Sequence, residues 1–264
     1  MYKVKDITNI IETLAPVYLA ESWDNVGLMV GDLEKNVNRV FICLDVTSEN
    51  VNYAIESGAE MIISHHPLIF TPLKNITENT TNGSIIRELI KNDISVYSAH
   101  TNLDNADGGV NDVLADKLGL DGVRHFTDDE CINANGAPID NIGRIGYLDS
   151  PVELADFKSL VKSILGCKCI KSVGDPSESI STVALCGGAG GDGIYSAYRA
   201  GADVYVTSDI RHHEAQLAFE LGINLIDAGH FETENIICET LAKLLQQNLP
   251  SLEVIVSNAE PYFS

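Results

Sequence analysis

Short apolar runs alternate with amphipathic segments along the first half of the chain. The runs at 39–44, 60–64 and 94–98 have the length of buried strands, and the segments at 48–57 and 85–91 carry apolar residues at helical spacing. Strands that alternate with helices form mainly parallel sheets that are covered on both faces. The pattern therefore predicts an α/β fold for this half.

Local signals predict where the helices of this half begin and end. Asp6 is expected to cap a first helix that Pro16 stops. Thr47 or Ser48 is expected to cap a second helix, with Gly58 as its left-handed end.

A segment without periodicity separates the two halves. Residues 121–141 are rich in Asp, Asn and Gly, so they are the candidate boundary between an N-terminal domain at 1–124 and a C-terminal domain at 125–264.

The second half then resumes with regular structure. A strand is predicted at 142–148, and Ser150-Pro151-Val152-Glu153 has the form of a capping box with proline at the first helical position. This segment predicts a helix that Gly166 ends.

The second half also repeats the pattern of the first. When Cys43 is aligned with Cys186, the strand, helix, glycine and strand recur without a gap. Further on, the strand at Ile94 aligns with a segment at Ile223, after a shorter connection than in the first half. We therefore expect two similar α/β/α domains from an internal duplication, with mainly parallel sheets.

Composition limits the classes of binding partner and indicates the cellular compartment of the protein. The 264 residues include 17 Lys and Arg against 38 Asp and Glu, a net charge of −21 that disfavours nucleic acids and anionic membrane surfaces. Six cysteines without a C-x-x-C motif favour buried thiols over a disulfide framework. With neither a signal core nor a long apolar run in the sequence, the expected location is the cytoplasm.

Candidate metal ligands follow two of the predicted strands. His65 and His66 come directly after the apolar run at 60–64 and before Pro67, and Asp104 follows the strand at 94–98. Ligands of open α/β sheets bind beyond the carboxyl ends of the strands. Imidazole nitrogens at such an end point to metal chemistry.

The repeat adds ligands from the second half. The loop that carries Asp104 aligns with the loop that carries His230 and Glu234. If the halves face each other, three imidazoles and two carboxylates meet. Five ligands exceed the need of one four-coordinate zinc and suit two ions that share a bridging carboxylate.

Alternative interpretations stay open for each residue alone. A pair of adjacent histidines is a weak signal, Asp104 could merely cap a helix, and Glu234 could be a first-turn acid that the helix dipole favours. The glycine-rich segment 187–193 follows a strand and precedes a helix, which suits either anion binding or tight turns.

Further polar residues are candidates for the pocket wall or for support of the ligands. His212 and His213 are assigned there, with substrate contact as an option, although Arg211 is an unfavourable neighbour for a cation. His100 is expected to orient a ligand. Asp209, at the position that aligns with His66, completes this group.

Five motifs, taken together and in order, resemble the Nif-three-like family, whose members are often labelled GTP cyclohydrolase I type 2 homologues. The motifs are Glu21-Ser22-Trp23-Asp24-Asn25-Val26-Gly27-Leu28, Ser64-His65-His66-Pro67-Leu68, His100-Thr101-Asn102-Leu103-Asp104, Thr207-Ser208-Asp209, and Asp227-Ala228-Gly229-His230 with Glu234.

The resemblance implies two similar α/β domains, a toroidal homohexamer and a dinuclear metal site between the domains. Matched motif by motif, the ligands would be His65, His66, Asp104, His230 and Glu234, with Glu234 as the bridge. Trp23 either anchors a loop against the core or shapes this site.

These inferences predict a metal-dependent hydrolase in which two divalent ions activate a bridging water. His65 and Asp104 would hold one ion, and His66 and His230 the other. The ligand types leave zinc, iron, manganese, cobalt and nickel open. The family label suggests a nucleotide-like or phosphate-containing small molecule as substrate. The alternative is a metal-binding regulatory or scaffold protein without turnover.

Overall fold

A computed structural model describes residues 1–132 and 138–263, without the side chains of 126–132 and 138–141. Contacts between α-carbons divide the chain into two compact units. Unit 1 comprises Met1–Gly109 and Ile237–Glu260, and unit 2 comprises Val110–Ile236 with the C-terminal residues from Pro261.

Strands and helices alternate along much of the chain. The strands are β1 (Tyr2–Lys3), β2 (Gly27–Val30), β3 (Asn36–Val37), β4 (Arg39–Cys43), β5 (Met61–Ser64), β6 (Ser95–Ser98), β7 (Asp121–Ile132), β8 (Pro138–Glu153), β9 (Lys171–Val173), β10 (Ser179–Leu185), β11 (Val204–Thr207), β12 (Asn224–Asp227) and β13 (Glu253–Val256).

The α-helices are α1 (Val4–Leu14), α2 (Ser48–Glu56), α3 (Thr81–Lys91), α4 (Thr101–Asn105), α5 (Val110–Lys117), α6 (Leu154–Leu165), α7 (Ile194–Arg199), α8 (His212–Leu221), α9 (His230–Glu234) and α10 (Ile236–Asn248). Single 3-10 turns lie at Val17–Leu19 and Gly191–Gly193. Within the described part of the chain, no helix has both the length and the apolar character needed to cross a membrane.

Unit 1 is built on a five-stranded sheet in the order β13-β4-β5-β6-β2. The first four strands are parallel, and β2 pairs antiparallel with β6. Phe41, Ile62 and Val96, one from each central strand, are buried in the same cluster as Ile86 and Leu89 of α3. Burial of these large aliphatic and aromatic side chains stabilises the sheet against its covering helices.

Unit 2 is built on a six-stranded sheet in the order β7-β8-β10-β11-β12-β9. Successive residues of β11 enter different clusters, with Val204 and Val206 in one and Tyr205 in the other. A strand whose two faces are both buried has an uninterrupted apolar sequence rather than an alternating one. Helices therefore cover both sides of this sheet, as the α/β/α prediction requires.

The central strands pair in the same register in both units. Val40 pairs with Met61 in unit 1, and the residues that align with them in the repeat, Val183 and Val204, pair in unit 2. The third strand behaves in the same way, because Ser98 pairs with Ser64 in unit 1 and Asp227 pairs with Thr207 in unit 2. The alignment found in the sequence therefore also relates the strand pairs of the structure.

Parallel pairing does not dominate both sheets. In the described part of unit 2, β10, β11 and β12 are parallel, but β7, β8 and β9 all pair antiparallel with their neighbours. The prediction of mainly parallel sheets therefore describes unit 1 and is wrong for the outer strands of unit 2.

Much of the segment predicted as an irregular boundary forms strands. Within 121–141, the residues at 121–132 belong to β7 and those from 138 onward to β8, which pairs antiparallel with β7. Residues 133–137, also part of that prediction, lie outside the described residues. Tertiary pairing therefore outweighs the low strand propensity of Asp, Asn and Gly.

The predicted capping box is also wrong. Val152 and Glu153 pair with Ile180 and Ser179, so the backbone of this segment continues the ladder of β8, and α6 begins only at Leu154. The end of this helix is as predicted, because Gly166 adopts a left-handed φ of 72°.

Asp6 acts from inside the first helix rather than before it. Helix α1 begins at Val4, and the carboxylate of Asp6 accepts a hydrogen bond of 2.8 Å from the backbone N–H of Lys3. A carboxylate in the first turn also lies at the positive end of the helix dipole.

Each compact unit combines segments that are distant in the sequence. Strand β13 pairs in parallel with β4, so the C-terminal segment up to Glu260 belongs to unit 1. Helix α5 belongs to unit 2, which begins at Val110 rather than at the predicted boundary near residue 124.

Thr47, one of the two predicted candidates, is the N-cap of α2. Its hydroxyl accepts a hydrogen bond of 3.1 Å from the backbone N–H of Asn50. We expect Thr47→Ala to lower the free energy of unfolding by about 1 kcal/mol, because a helix N-terminus loses its cap. The measurement is urea denaturation followed by circular dichroism.

The neighbouring variant Ser48→Ala is the matched control, since Ser48 is an exposed first-turn residue. A change of at most about 0.5 kcal/mol is expected there. Equal losses for the two variants would contradict the capping role of Thr47.

Candidate metal centre

The carboxyl ends of β4 and β5 bring polar residues to one edge of the unit 1 sheet. The backbone N–H groups of His65 and His66 donate to the carbonyl oxygens of Cys43 and Leu44, at 3.3 and 2.9 Å. The parallel ladder thus continues past the end of β5 and fixes the backbone of both histidines before Pro67 ends it. The imidazoles therefore start from a rigid sheet edge rather than from a mobile loop.

His65 is almost completely buried, with 1% of its surface exposed. Its Nδ1 lies 2.9 Å from the carbonyl oxygen of Ala99. A carbonyl only accepts hydrogen bonds, so this contact assigns the ring proton to Nδ1 and the lone pair to Nε2. The Nε2 atom lies 3.6 Å from Oδ1 of Asp104, which α4 carries in its first turn.

His66 is oriented by a carboxylate. Its Nδ1 lies 2.7 Å from Oδ1 of Asp45, which follows β4 by two residues. Asp45 was not among the residues predicted for the site. The available signal was its position, because the carboxyl ends of neighbouring parallel strands meet at one sheet edge.

His100 is held by Asp24. The Nδ1 atom of His100 lies 3.0 Å from both carboxylate oxygens of Asp24, whose side chain is fully buried. Asp24 also accepts hydrogen bonds from the backbone N–H and the hydroxyl of Thr101. Burial by itself raises the pKa of Asp24, but the hydrogen bonds from His100 and Thr101 outweigh it, so the pKa lies well below its usual value.

Three of these imidazoles form a cluster within unit 1. One ring nitrogen from each of His65, His66 and His100 lies within 4.8 Å of the others, a spacing that one metal ion can span. Hydrogen bonds from Nδ1 to carboxylate or carbonyl oxygens typically orient metal-binding histidines and raise their basicity. His100, predicted to orient a ligand, is thus itself placed among the potential ligands.

In unit 2, His230 and Glu234 lie one turn apart on α9. The Nε2 of His230 is 2.9 Å from Oε2 of Glu234, and its Nδ1 is 2.7 Å from Oδ2 of Asp209. Asp209, two residues after the end of β11, adopts a left-handed φ of 55°, a conformation that is uncommon outside glycine. The structure therefore brings together three of the residues predicted in this half.

The glycine-rich segment packs closely against this pair. A Cβ at Gly188 would collide with Oε1 of Glu234 and lie 3.3 Å from Nε2 of His230. The carbonyl oxygen of Gly188 accepts from the hydroxyl of Ser208 at 2.6 Å. Close approach to the acid and the imidazole, together with a φ of +63°, explains why glycine is needed here. These contacts favour the interpretation as tight turns over anion binding.

His212 and His213 occupy the first turn of α8, where both are exposed. Glu214 in the same turn accepts from the backbone N–H of Arg211 at 2.7 Å and pairs with its guanidinium. The structure thus places these two histidines on a solvent-facing helix start.

The structure defines a mixed α/β protein with histidine and carboxylate clusters that can bind metal ions. Residues 2–262 match the model of the Duf34/NIF3 (NGG1p interacting factor 3) family. The chain therefore belongs to this family, and the resemblance found in the sequence is confirmed.

Individual relatives agree with this assignment. The chain is 41% identical over 259 residues to a Clostridium perfringens protein named GTP cyclohydrolase 1 type 2 homolog, across 97% of this chain and 96% of the relative. A crystal structure of a Bacillus cereus protein related to NIF3 is similar with a TM-score of 0.89 and 30% identity, covering 98% of both chains. Reduced HcgD from Methanocaldococcus jannaschii is similar with a TM-score of 0.81 and 32% identity, covering 98% of both chains.

Gly188→Ala tests the close approach of the glycine-rich segment. We expect lower stability and lower metal content, because the added methyl group displaces the carboxylate of Glu234. Unfolding in urea and elemental analysis measure the two effects.

Gly201→Ala is the matched control, since Gly201 also has a positive φ, of +80°, but a Cβ there meets nothing within 4 Å. This variant should lose about 1–2 kcal/mol from backbone strain alone and keep its metal content. Equal metal content in both variants would contradict the role of Gly188.

Asp24→Asn tests the carboxylate that holds His100. At neutral pH we expect a loss of about 1.5–3 kcal/mol in the free energy of unfolding, because charge-assisted hydrogen bonds are removed. The folded pKa is depressed, so the stabilisation is present above the unfolded pKa of about 3.9 and is lost as pH falls through the folded pKa.

The difference between the wild type and Asp24→Asn should therefore shrink below about pH 4. Urea denaturation of chelator-treated protein at several pH values measures this difference in the free energy of unfolding. Asp116→Asn is the control, because Asp116 is exposed. A difference that grows as the pH falls would contradict this account.

Proposed function

We propose that this chain binds two divalent metal ions and uses them to hydrolyse a small-molecule substrate. The observation that carries the proposal is the hydrogen bonding of four imidazoles. Each of His65, His66, His100 and His230 has its Nδ1 within 3.0 Å of a carboxylate or carbonyl oxygen. Because oxygen acceptors of this kind orient metal-binding histidines, this arrangement suits the Nε2 atoms for binding metal ions.

The donor set fits such ions. Neutral imidazoles and carboxylates bind zinc, iron, manganese, cobalt and nickel, and the proposal leaves the metal open among them. We assign His65 and Asp104 to one ion and His66 and His230 to the other, with Glu234 as the bridge. The assignment rests on the family resemblance together with the hydrogen bonding within each unit.

Bound ions would supply the hydrolytic nucleophile by lowering the pKa of a metal-bound water to about 7. The residues of the chain would position the reaction. Ala99, Asp45 and Asp209 fix the imidazole planes, so the ligands need little reorganisation when an ion or a substrate binds. The net charge of −21 would disfavour anionic substrates away from the ions.

The substrate class follows from the relatives. Several are named GTP cyclohydrolase 1 type 2 homolog, so we propose a nucleotide-like or phosphate-containing molecule. We also propose that the two units derive from an internal duplication, which the shared strand registers support, and that the chain assembles as a toroidal homohexamer, as the family resemblance implies.

Elemental analysis of protein purified without chelator should find about two transition-metal ions per chain. Glu234→Gln should lower the metal content, because the bridging ligand loses its charge. Glu232→Gln, on the same helix and two residues away, is the control and should keep it. Hydrolysis of nucleotides and phosphoesters is assayed in parallel.

Two outcomes separate the candidate functions. Metal-dependent turnover that Glu234→Gln abolishes would support hydrolysis. Metal binding without turnover in any variant would favour a metal-binding regulatory or scaffold protein. A metal-free wild type would contradict the proposal altogether.

The assembly has its own test. Light scattering of the purified protein should report a particle of about six chains, as expected for a closed ring of identical subunits. A monomer over the micromolar range would contradict the hexamer without affecting metal binding within one chain.

A further inference from the structure

Two exposed aromatic rings lie beside His100 in unit 1. The rings of Trp23 and Phe70 meet edge to face, with centroids 5.9 Å apart and planes at 65°. Each centroid lies 6.3 Å from that of the His100 imidazole. Trp23 is 58% exposed and Phe70 is 49% exposed. We call these two residues the aromatic pair.

Hydrogen bonds hold the loops that carry the aromatic pair. Asp24, next to Trp23, is fixed by His100 and Thr101 at the end of β6. The side chain of Asn25 donates to the carbonyl oxygen of Ile69, next to Phe70. The two loops are thus tied to each other and to the sheet. Rings that are exposed yet held in place give contact area at a low entropic cost.

The imidazole of His100 lies between the aromatic pair and the two histidines at the edge of the sheet. The centroid of His100 is 5.2 Å from that of His65 and 5.6 Å from that of His66. A molecule whose polar group meets an ion at His65 or His66 therefore reaches the aromatic pair within the length of a small metabolite.

We propose that the aromatic pair is a subsite that stacks a flat heteroaromatic ring, of the size of a nucleobase, belonging to the molecule whose phosphate or hydrolysed group meets the ions. The inference rests on the proposed function and adds the part of the substrate that the ions do not recognise. Two rings cover far less than the roughly 800 Å² per partner of a stable protein interface, so a small molecule fits better than a protein.

The energetics suit this role. Stacking on an aromatic side chain is worth about 1–3 kcal/mol per base, which corresponds to about 5- to 150-fold in affinity. An acidic protein repels a phosphate wherever no cation is present, so contact with an uncharged ring adds affinity that electrostatics does not provide.

Trp23 is the sole tryptophan of the chain, so its fluorescence reports directly on the subsite. The metal-loaded protein is titrated with guanosine 5′-monophosphate and with ribose 5-phosphate, which lacks the base. We expect the nucleotide to quench the fluorescence and to bind at least about fivefold more tightly. Equal affinities, or binding without a change in fluorescence, would overturn the proposal.

Phe70→Leu removes one ring and keeps the reporter. It should weaken binding of the nucleotide about tenfold while binding of ribose 5-phosphate and the metal content stay constant. Phe219→Leu is the matched control, since Phe219 is a phenylalanine with 71% exposure on α8 of unit 2. Equal effects of the two variants on nucleotide binding would overturn the subsite.

The subsite and the proposed metal function fail separately. Guanosine, which has a base but no phosphate, is titrated into chelator-treated protein and should still quench Trp23. If the purified protein contains no metal but guanosine binds and Phe70→Leu weakens it, the metal proposal fails and the subsite stands. If Phe70→Leu changes the oligomeric state and not the affinity, the aromatic pair is a contact between copies of the chain and the subsite is refuted.

Discussion

The hydrogen bond from Nδ1 of His65 to the carbonyl oxygen of Ala99 determines the chemistry of the sheet edge. It follows from the pairing of β5 and β6, in which Ser64 lies opposite Ser98. The next residues, His65 and Ala99, are therefore also neighbours. Because the carbonyl can only accept, the neutral imidazole keeps its proton on Nδ1, and its Nε2 faces Oδ1 of Asp104 at 3.6 Å. A shift of one residue in the strand register would remove this alignment and, with it, the hydrogen bond that orients the His65 imidazole.

The same register in unit 2 supports different chemistry. In the alignment that matches Cys43 with Cys186, the positions of Asp45, His65 and His66 correspond to Gly188, Ser208 and Asp209. Where unit 1 presents an acid that orients a histidine, unit 2 presents a glycine that admits the carboxylate of Glu234, and Asp209 in turn orients His230. The central strands pair in the same register in both units but carry different polar residues at their carboxyl ends.

The parts of the fold that could be predicted from sequence were those in which local and tertiary preferences agree. The central strands of unit 1, the cap at Thr47 and the helix end at Gly166 combine apolar runs with matching terminal residues. The segment at Ser150 contains a capping signal of the same quality, but pairing of β8 with β10 satisfies its backbone instead. A local motif does not reveal that competing partner.

Some residues of the candidate site could also be predicted from the sequence, and others could not. His65 and His66 could be selected from the sequence because they directly follow an apolar strand, and the repeat added His230. Asp45 and Asp24 resemble ordinary loop acids in the sequence, and only the tertiary structure brings them to the imidazoles. Similarly, Trp23 and Phe70 are far apart in the sequence and lie in segments without periodicity, so only the tertiary structure shows that they pair.

X-ray absorption spectroscopy of the metal-loaded protein tests the central claim most directly. Imidazole ligation together with a metal-to-metal distance of about 3.5–4 Å is the predicted result, as expected for two ions that share a bridging carboxylate. A spectrum with imidazole ligation but no metal-to-metal contribution would show isolated ions. A spectrum without imidazole ligation would contradict metal binding at the histidines of the sheet edge.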